Sequence, residues 1–237
     1  VTGVQTCALP IFLRQIIEDV KDEVKKMSKL VSDLLIVARS DNNALKMQWK
    51  TLNLGELLNQ NVRIMRPLAQ KKDINLLAEG IINVKVRADE QKLKQVILIL
   101  VDNAIKYSDG TVRIMSRRER SSMRVSIEDN GVGIAKEHHE KIFERFYRVD
   151  KARTTSPDEK TTAGLGLAIA KWIADNHEIK IELDSALDEG TRITLTIPLA
   201  LIKLTGNMDL ADDDEFVEEH ELEPDSKASP QLSKFAV

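Results

Sequence analysis

Three side chains near the middle of the chain have types and spacing that suit joint chemistry. Lys106 and Tyr107 follow Asn103 by three and four residues, so on a helix all three project close together. An amide oxygen suits Mg²⁺, a hard cation that binds mostly through substrate phosphates and water, and a neighbouring lysine suits phosphate oxygens. A second piece is Asp129-Asn130-Gly131-Val132-Gly133-Ile134, which follows an alternating apolar run. An aspartate leaving a buried strand can accept a hydrogen bond from an exocyclic amine, and glycines let backbone pass where a side chain would block a flat ring. Such a carboxylate favours adenine over guanine, which presents a carbonyl there. The same residues also read as a plain turn after a strand. The third piece, Gly164-Leu165-Gly166-Leu167, opens an apolar run of helical period, where bare backbone amides and the positive end of the helix dipole suit phosphate. Ordinary helix entry is the other reading.

These residues need elements to hold them. Val96, Ile97, Leu100, Val101 and Ala104 recur at helical spacing, and Asp89 caps a helix predicted over Glu90 to Tyr107, with Gln95 to Ser108 its apolar heart. Asn53, with Glu56 three residues on, predicts the start of a helix towards Lys71, punctuated at Pro67. Ile74 to Ala78 and Val84 to Ala88 read as strands around the Gly80 turn. Thr111 to Ser116 and Met123 to Glu128 read as a hairpin joined by a basic polar loop. Lys180 to Asp184 and Thr191 to Ile197 form another pair around Asp188-Glu189-Gly190, and Pro198 stops the last strand. Lys136 to Phe143 predicts a short helix carrying His138 and His139 on the surface. Val149 to Ala163 is polar and aperiodic, and a loop that long inside a compact domain is usually functional or disordered.

Upstream, Ile17, Val20, Val24, Met27, Val31, Leu34 and Ala38 step alternately by three and four, a heptad seam on a long helix over Arg14 to about Leu45. A lone helix with such a face expects other helices. Asp41-Asn42-Asn43 and the polar residues up to Thr51 read as a joint.

At 237 residues with 42% hydrophobic and 31% charged content, the chain has room for one sizeable domain and an appendage. Its longest central apolar run, Val96 to Val101, is far below the roughly 20 residues a bilayer crossing needs. From Thr205 onwards ten acidic residues face two lysines, which reads as a disordered acidic tail; the remainder, with 33 basic and 28 acidic residues, is net +5. That mild basicity suits a polyanionic ligand, while nucleic acid would call for a clustered basic stripe with aromatics that is not present. Residues 1–11 read as a translated sequencing adapter and are set aside, so the native sequence is expected to continue upstream of Phe12. Cys7, the single cysteine, lies in that segment.

With these pieces in order, the chain resembles the C-terminal part of a bacterial two-component sensor histidine kinase. Val101 to Ser108 looks like the family's N box and Asp129 to Ile134 its G1 box. Phe143-Glu144-Arg145-Phe146-Tyr147-Arg148, with Val149 to Ala152, looks like the F box, and Gly164 to Ile169 the G2 box. The segment Asp19 to Ser40 is similar to the second helix of the dimerisation and phosphotransfer hairpin. The resemblance implies an α+β fold: a two-layer α/β sandwich, with a mixed sheet of about five strands against three helices, preceded by a long amphipathic helix. It divides the chain into hairpin helix 12–48, ATP-binding catalytic domain 52–200 and acidic tail 205–237. It implies ATP and Mg²⁺ as cofactors and Asn103 on the metal. Lys106 and Arg148, the catalytic assignments, stand near the phosphates. Tyr107 lies near the nucleotide and Asp129 on the adenine amine, while Gly131, Gly133, Gly164, Leu165, Gly166 and Leu167 line the cofactor site. The loop Val149 to Ala163 would close as a lid. Expected partners are a second copy through the hairpin helices and a response regulator receiver domain, and the expected location is cytoplasmic, with a parent protein anchored at the inner membrane.

The departures are specific. Ile99 stands one turn before Asn103, where the family has a polar residue; Thr161-Thr162-Ala163 replace glycines before the G2 box; Glu178-Ile179 replace Gly-Gly after the histidine matched by His177. None of His138, His139, His177 and His220 matches the phosphoacceptor, so this sequence is expected to donate phosphate but not to phosphorylate itself. The alternative is a degenerate nucleotide-binding or dimerisation module without turnover. Other ATPases of the same sandwich rank below both, because they carry a glutamate base one turn before the asparagine.

Overall fold

The computed structural model describes residues 47–149 and 163–199, together with most of the stretch from Leu13 to Leu35. The segment set aside at the start, residues 150–162 of the loop expected to act as a lid, and the acidic tail lie outside the described residues.

Strand β1 (Trp49–Asn53) leads into helix α1 (Leu54–Lys71), followed by β2 (Asn75–Glu79), β3 (Lys85–Asp89) and helix α2 (Glu90–Tyr107). The hairpin β4 (Thr111–Arg118) and β5 (Ser122–Asp129) comes next, then two 3₁₀ turns, helix α3 (Gly166–Asn176), β6 (Lys180–Ala186) and β7 (Gly190–Pro198). The main sheet has the order β2-β4-β5-β7-β6; β2 runs parallel to β4, and the other pairs are antiparallel. The expected mixed five-stranded sheet with three helices is therefore present.

Alternation along the strands explains the two layers. Val112, Ile114, Met123, Val125, Ile127, Leu195 and Ile197 are buried and join one core with the apolar faces of α1, α2 and α3. The intervening residues form a polar outer face laced by cross-strand pairs, among them Arg124 with Glu182 at 3.1 Å and Arg192 with Glu128 at 2.5 Å.

Both expected caps are made. The Asn53 side chain accepts from the Gly55 and Glu56 amides at 3.0 and 3.4 Å, and Asp89 accepts from Lys92 at 3.1 Å. Helix α1 runs through Pro67 to Lys71 without ending there.

Three expectations change. The polar joint ends before Trp49, because Trp49–Asn53 pairs antiparallel with Lys85–Asp89 as a second, two-stranded sheet. Likewise β2 and β3 are strands but do not pair with each other; β2 joins the main sheet through β4, and β3 joins β1. Lys136 to Phe143 is two 3₁₀ turns, Lys136–His138 and Lys141–Phe143, in place of one helix. In the first turn the His138 amide bonds to Ala135 three residues back, while the Ile134 carbonyl accepts from the His139 ring at 2.9 Å; in the second the Glu144 amide bonds to Lys141.

The amino-terminal stretch is helical wherever it is described, and its seam residues Ile17, Val20, Val24, Met27, Val31 and Leu34 are 48–64% exposed. A face this apolar and open is unstable in water by itself. No helix among the described residues is long and apolar enough to cross a membrane.

Candidate nucleotide site

The site is built where α2 ends beside the exit of β5. Asn130 clamps the two. Its Oδ1 accepts from Ser108 Oγ and the Thr111 amide, both at 2.9 Å, and its Nδ2 donates to the Asp109 carbonyl at 3.1 Å. Gly131 then packs onto the helix end so closely that a Cβ there would sit 1.7 Å from the Tyr107 carbonyl oxygen. The strand exit and the last turn of α2 are thus fixed against each other with no side chain between them.

The far wall is the β6–β7 hairpin. Gly133, at φ +64°, would place a Cβ 1.8 Å from the Ala186 oxygen, and Gly190, at φ +85°, would place one 2.1 Å from the Asp129 oxygen. Two hydrogen bonds lock the loop to the hairpin, the Asp188 amide to the Val132 carbonyl at 2.9 Å and the Ile134 amide to Ser185 Oγ at 2.8 Å, and Ser185 Oγ is itself held by donating to the Gly190 carbonyl at 2.8 Å. The glycines of this loop therefore clear space for neighbouring carbonyls, a tertiary demand that the sequence motif alone does not display.

Asp129 is held at the centre of this frame. Its Oδ1 accepts the Gly131 amide at 3.0 Å. Burial of the carboxyl raises its pKa from 3.8 to about 6, outweighing the lowering by the Gly131 and Thr191 amides. A desolvated carboxyl fixed at a strand end is an acceptor oriented before any ligand arrives.

On the helix side, Lys106 Nζ bonds to Asp102 Oδ2 one turn back at 2.5 Å, so its charge already has a counter-ion that sequence reasoning did not assign. Asn103 is half-buried, and its amide has no protein partner among the described residues. Tyr107 is 42% exposed at the rim.

Gly164 and Gly166 play different parts. Gly164 has φ +70° and lies against Phe146 and Tyr147, and its carbonyl accepts the Phe146 amide at 3.0 Å. That bond ties the segment holding Arg148 to the entrance of α3. Gly166 begins the helix, and a Cβ there would lie 3.4 Å from Ile99 Cγ2, an ordinary contact. Leu165 is 2% exposed and belongs to the core, so only its backbone can face a ligand, while Leu167 packs against the same core. The N-cap residue of α3 is Leu165, whose side chain makes no cap, so among the described residues no side-chain cap competes with an anion for its first amides.

The four motifs thus converge on one rim: Asp129, Gly131 and Tyr107 at one end, Asn103 and Lys106 along α2, and the α3 entrance with Phe146 to Arg148 at the other. The residues to which the sequence assigned no role at the site are Asn130, Ser185 and Gly190, which join the pieces. Asn130 stood in the glycine motif and Gly190 in a turn, while Ser185 carried no signal.

Among the described residues no group of three or more His, Cys, Asp or Glu could hold a metal ion. A lone amide oxygen on α2 fits a Mg²⁺ that arrives with phosphate oxygens and water, not a cage made of protein alone.

Comparison with known proteins identifies the family of the fold. Residues 88–201 match the model of the Histidine kinase-, DNA gyrase B-, and HSP90-like ATPase family. The chain is 37% identical over 187 residues to the sensor histidine kinase YkoH of Bacillus subtilis, covering 78% of this chain and 40% of that protein. It is 33% identical over 187 residues to the sensor protein IrlS of Burkholderia pseudomallei, covering 78% and 39%. A solved structure of full-length ShkA in complex with AMPPNP superposes with a TM-score of 0.67 at 25% identity, covering 79% of this chain and 39% of that one. The chain spans about two fifths of the length of these relatives. Through residues 88–201 it belongs to the Histidine kinase-, DNA gyrase B-, and HSP90-like ATPase family, in the form carried by the catalytic portion of sensor histidine kinases.

Proposed function

We propose that this chain binds ATP with Mg²⁺ and donates the γ-phosphate to a histidine on a hairpin helix that this sequence does not contain, for onward transfer to a response regulator receiver domain. The observation that carries the reading is Asp129, a desolvated carboxyl locked at the end of β5 between Gly131 and Gly190. In its ionised form it accepts the adenine amine. Asn103 would hold Mg²⁺ by its amide oxygen, and the bound ion would offset charge on the transferring phosphoryl group. Lys106 and Arg148 would add positive charge along the phosphates, and the α3 amides would receive the phosphate chain. Nothing more reactive is asked of the protein, because phosphoryl transfer of this kind is positioning and charge neutralisation. The open seam on the amino-terminal helix supports pairing with hairpin helices, including those of a second copy.

A second reading, nucleotide binding without turnover, rests on Ile99. Its Cγ2 faces the start of α3, where the family has a polar residue able to support metal-bound water. One experiment separates the two. The chain is mixed with a hairpin supplying an acceptor histidine and with Mg·ATP, and acid-labile phosphate on the hairpin is measured. Phosphate that disappears with Asn103→Ala supports transfer. Tight ATP binding without transfer leaves the binding module, and absence of ATP binding overturns both.

A further inference from the structure

Two neighbouring histidines lie outside the roles assigned above, and both make directed bonds. His138 Nδ1 is 2.7 Å from the Tyr147 hydroxyl, with the rings 6.1 Å apart. His139 Nε2 donates to the Ile134 carbonyl at 2.9 Å, and the Ile134 amide in turn bonds to Ser185 on β6. The 3₁₀ turn holding the histidines is therefore fixed to the rim of the adenine-side loop. Tyr147 immediately precedes Arg148, and Phe146 on its other side donates its amide to Gly164. Phe146 pays for this path with φ +65°, a conformation unusual for a bulky side chain. Such a backbone persists only where surrounding bonds hold it.

We infer that His138 and Tyr147 are positioning residues: their hydrogen bond ties the adenine-side loop to the segment bearing Arg148 and so aims Arg148 along the phosphate chain. This rests on the nucleotide reading above and adds a residue pair to it. With the pair intact, the segment bearing Arg148 is tied to the adenine-side loop through the Tyr147 hydroxyl and to the α3 entrance through the Phe146–Gly164 bond. With it broken, the tie to the adenine-side loop is lost. The ligand parts that should sense the loss are the phosphates; the adenosine moiety, bound at Asp129, should not.

The test is calorimetric titration of the whole chain with Mg·ATP and with adenosine. Tyr147→Phe removes the hydroxyl, His138→Phe removes its partner, and His138→Asn retains a hydrogen-bonding atom near the Nδ1 position. Tyr147→Phe and His138→Phe are each expected to weaken Mg·ATP about fivefold, as loss of one hydrogen bond implies, leave adenosine unchanged, and add nothing in an Arg148→Ala background. His138→Asn should restore most of the affinity. Unchanged Mg·ATP binding in both phenylalanine variants overturns the inference, as does equal weakening of adenosine and Mg·ATP, which would mark a merely structural bond. Wild-type chain that binds neither ligand overturns the nucleotide reading itself, and so is distinguishable.

Discussion

His177 Nε2 accepts the backbone amide of Asp89 at 3.0 Å, joining the residue that closes α3 to the residue that opens α2. The ring is 6% exposed, donates from Nδ1 to the Ile173 carbonyl at 2.8 Å and meets Trp49 edge-on at 5.1 Å. Two helices that present site residues at their other ends are thus pinned at a common point. Asp89 also accepts the Gln48 amide at 2.9 Å, which brings the start of β1 to the same point. His177→Ala leaves the Asp89 amide without its acceptor and opens a cavity, so a loss of about 2–4 kcal/mol is expected in urea unfolding. His177→Gln should lose less.

The same histidine contributes to pH dependence. Burial lowers its pKa from 6.5, so the folded state favours the neutral ring. Its contribution is complete above 6.5 and is lost as pH falls below that value. Asp129 works the other way. Its folded pKa of about 6 lies above the ordinary 3.8, so its contribution is complete below 3.8 and is lost as pH rises through about 6. Asp129→Asn is therefore expected to raise the unfolding temperature of the ligand-free chain at pH 7.5 and have little effect near pH 4. On the nucleotide proposal binding has the opposite sign, because the ionised carboxylate is the stronger acceptor for the adenine amine. ATP affinity should rise as pH increases through about 6 in the wild type, and Asp129→Asn should flatten that rise and weaken binding by ~10-fold or more.

Glu178 occupies φ +58° after α3, with its amide bonded to Asp175 at 3.1 Å and the Ile179 amide bonded to Ala174 at 2.9 Å. This is the helix ending that glycine serves best, and it gives the Glu178-Ile179 departure a physical meaning. The strand entry is kept, at the cost of a side chain in a left-handed backbone. Glu178→Gly should stabilise the chain by about 0.5–1 kcal/mol with ATP affinity unchanged, measured by denaturation and titration.

Glycine substitutions should divide by what they strike. Gly131→Ala drives a methyl into the Tyr107 carbonyl and Gly133→Ala into the Ala186 carbonyl, so both should lose at least ~2 kcal/mol and all measurable nucleotide binding. Gly166→Ala meets only a 3.4 Å contact with Ile99 and gains helix propensity, so its thermal stability should hold or rise. If its ATP affinity falls nevertheless, the position is glycine for the ligand and not for the fold.

The sequence was most readable where local chemistry decides structure. The caps at Asn53 and Asp89, the apolar face of α2 and the β4–β5 hairpin all declare themselves within a few residues. Contacts between distant segments were not readable. Trp49–Asn53 has little alternation of its own and becomes a strand because Lys85–Asp89 supplies the partner. The 3₁₀ turns come with a bond from the His139 ring to the Ile134 carbonyl, a contact that no periodicity records. At the site, the positions of Asn103, Lys106, Asp129 and the α3 entrance could be named from residue type. The Asp102 counter-ion, the Asn130 clamp and the Gly190 approach required strands and helices to be side by side.

Asp129 ends β5, pairing on one side with Val112 on β4 and on the other with Thr191 on β7, and the wall beside it is Gly190. During synthesis, then, Asn103, Lys106 and Asp129 all leave the ribosome well before the strand that frames them. A nascent chain stopped short of residue 190 would hold every polar group assigned to the base and metal and still present no pocket. Nucleotide present in the cell would therefore favour only chains whose last strand has docked, pulling the folding equilibrium toward the complete sheet by mass action.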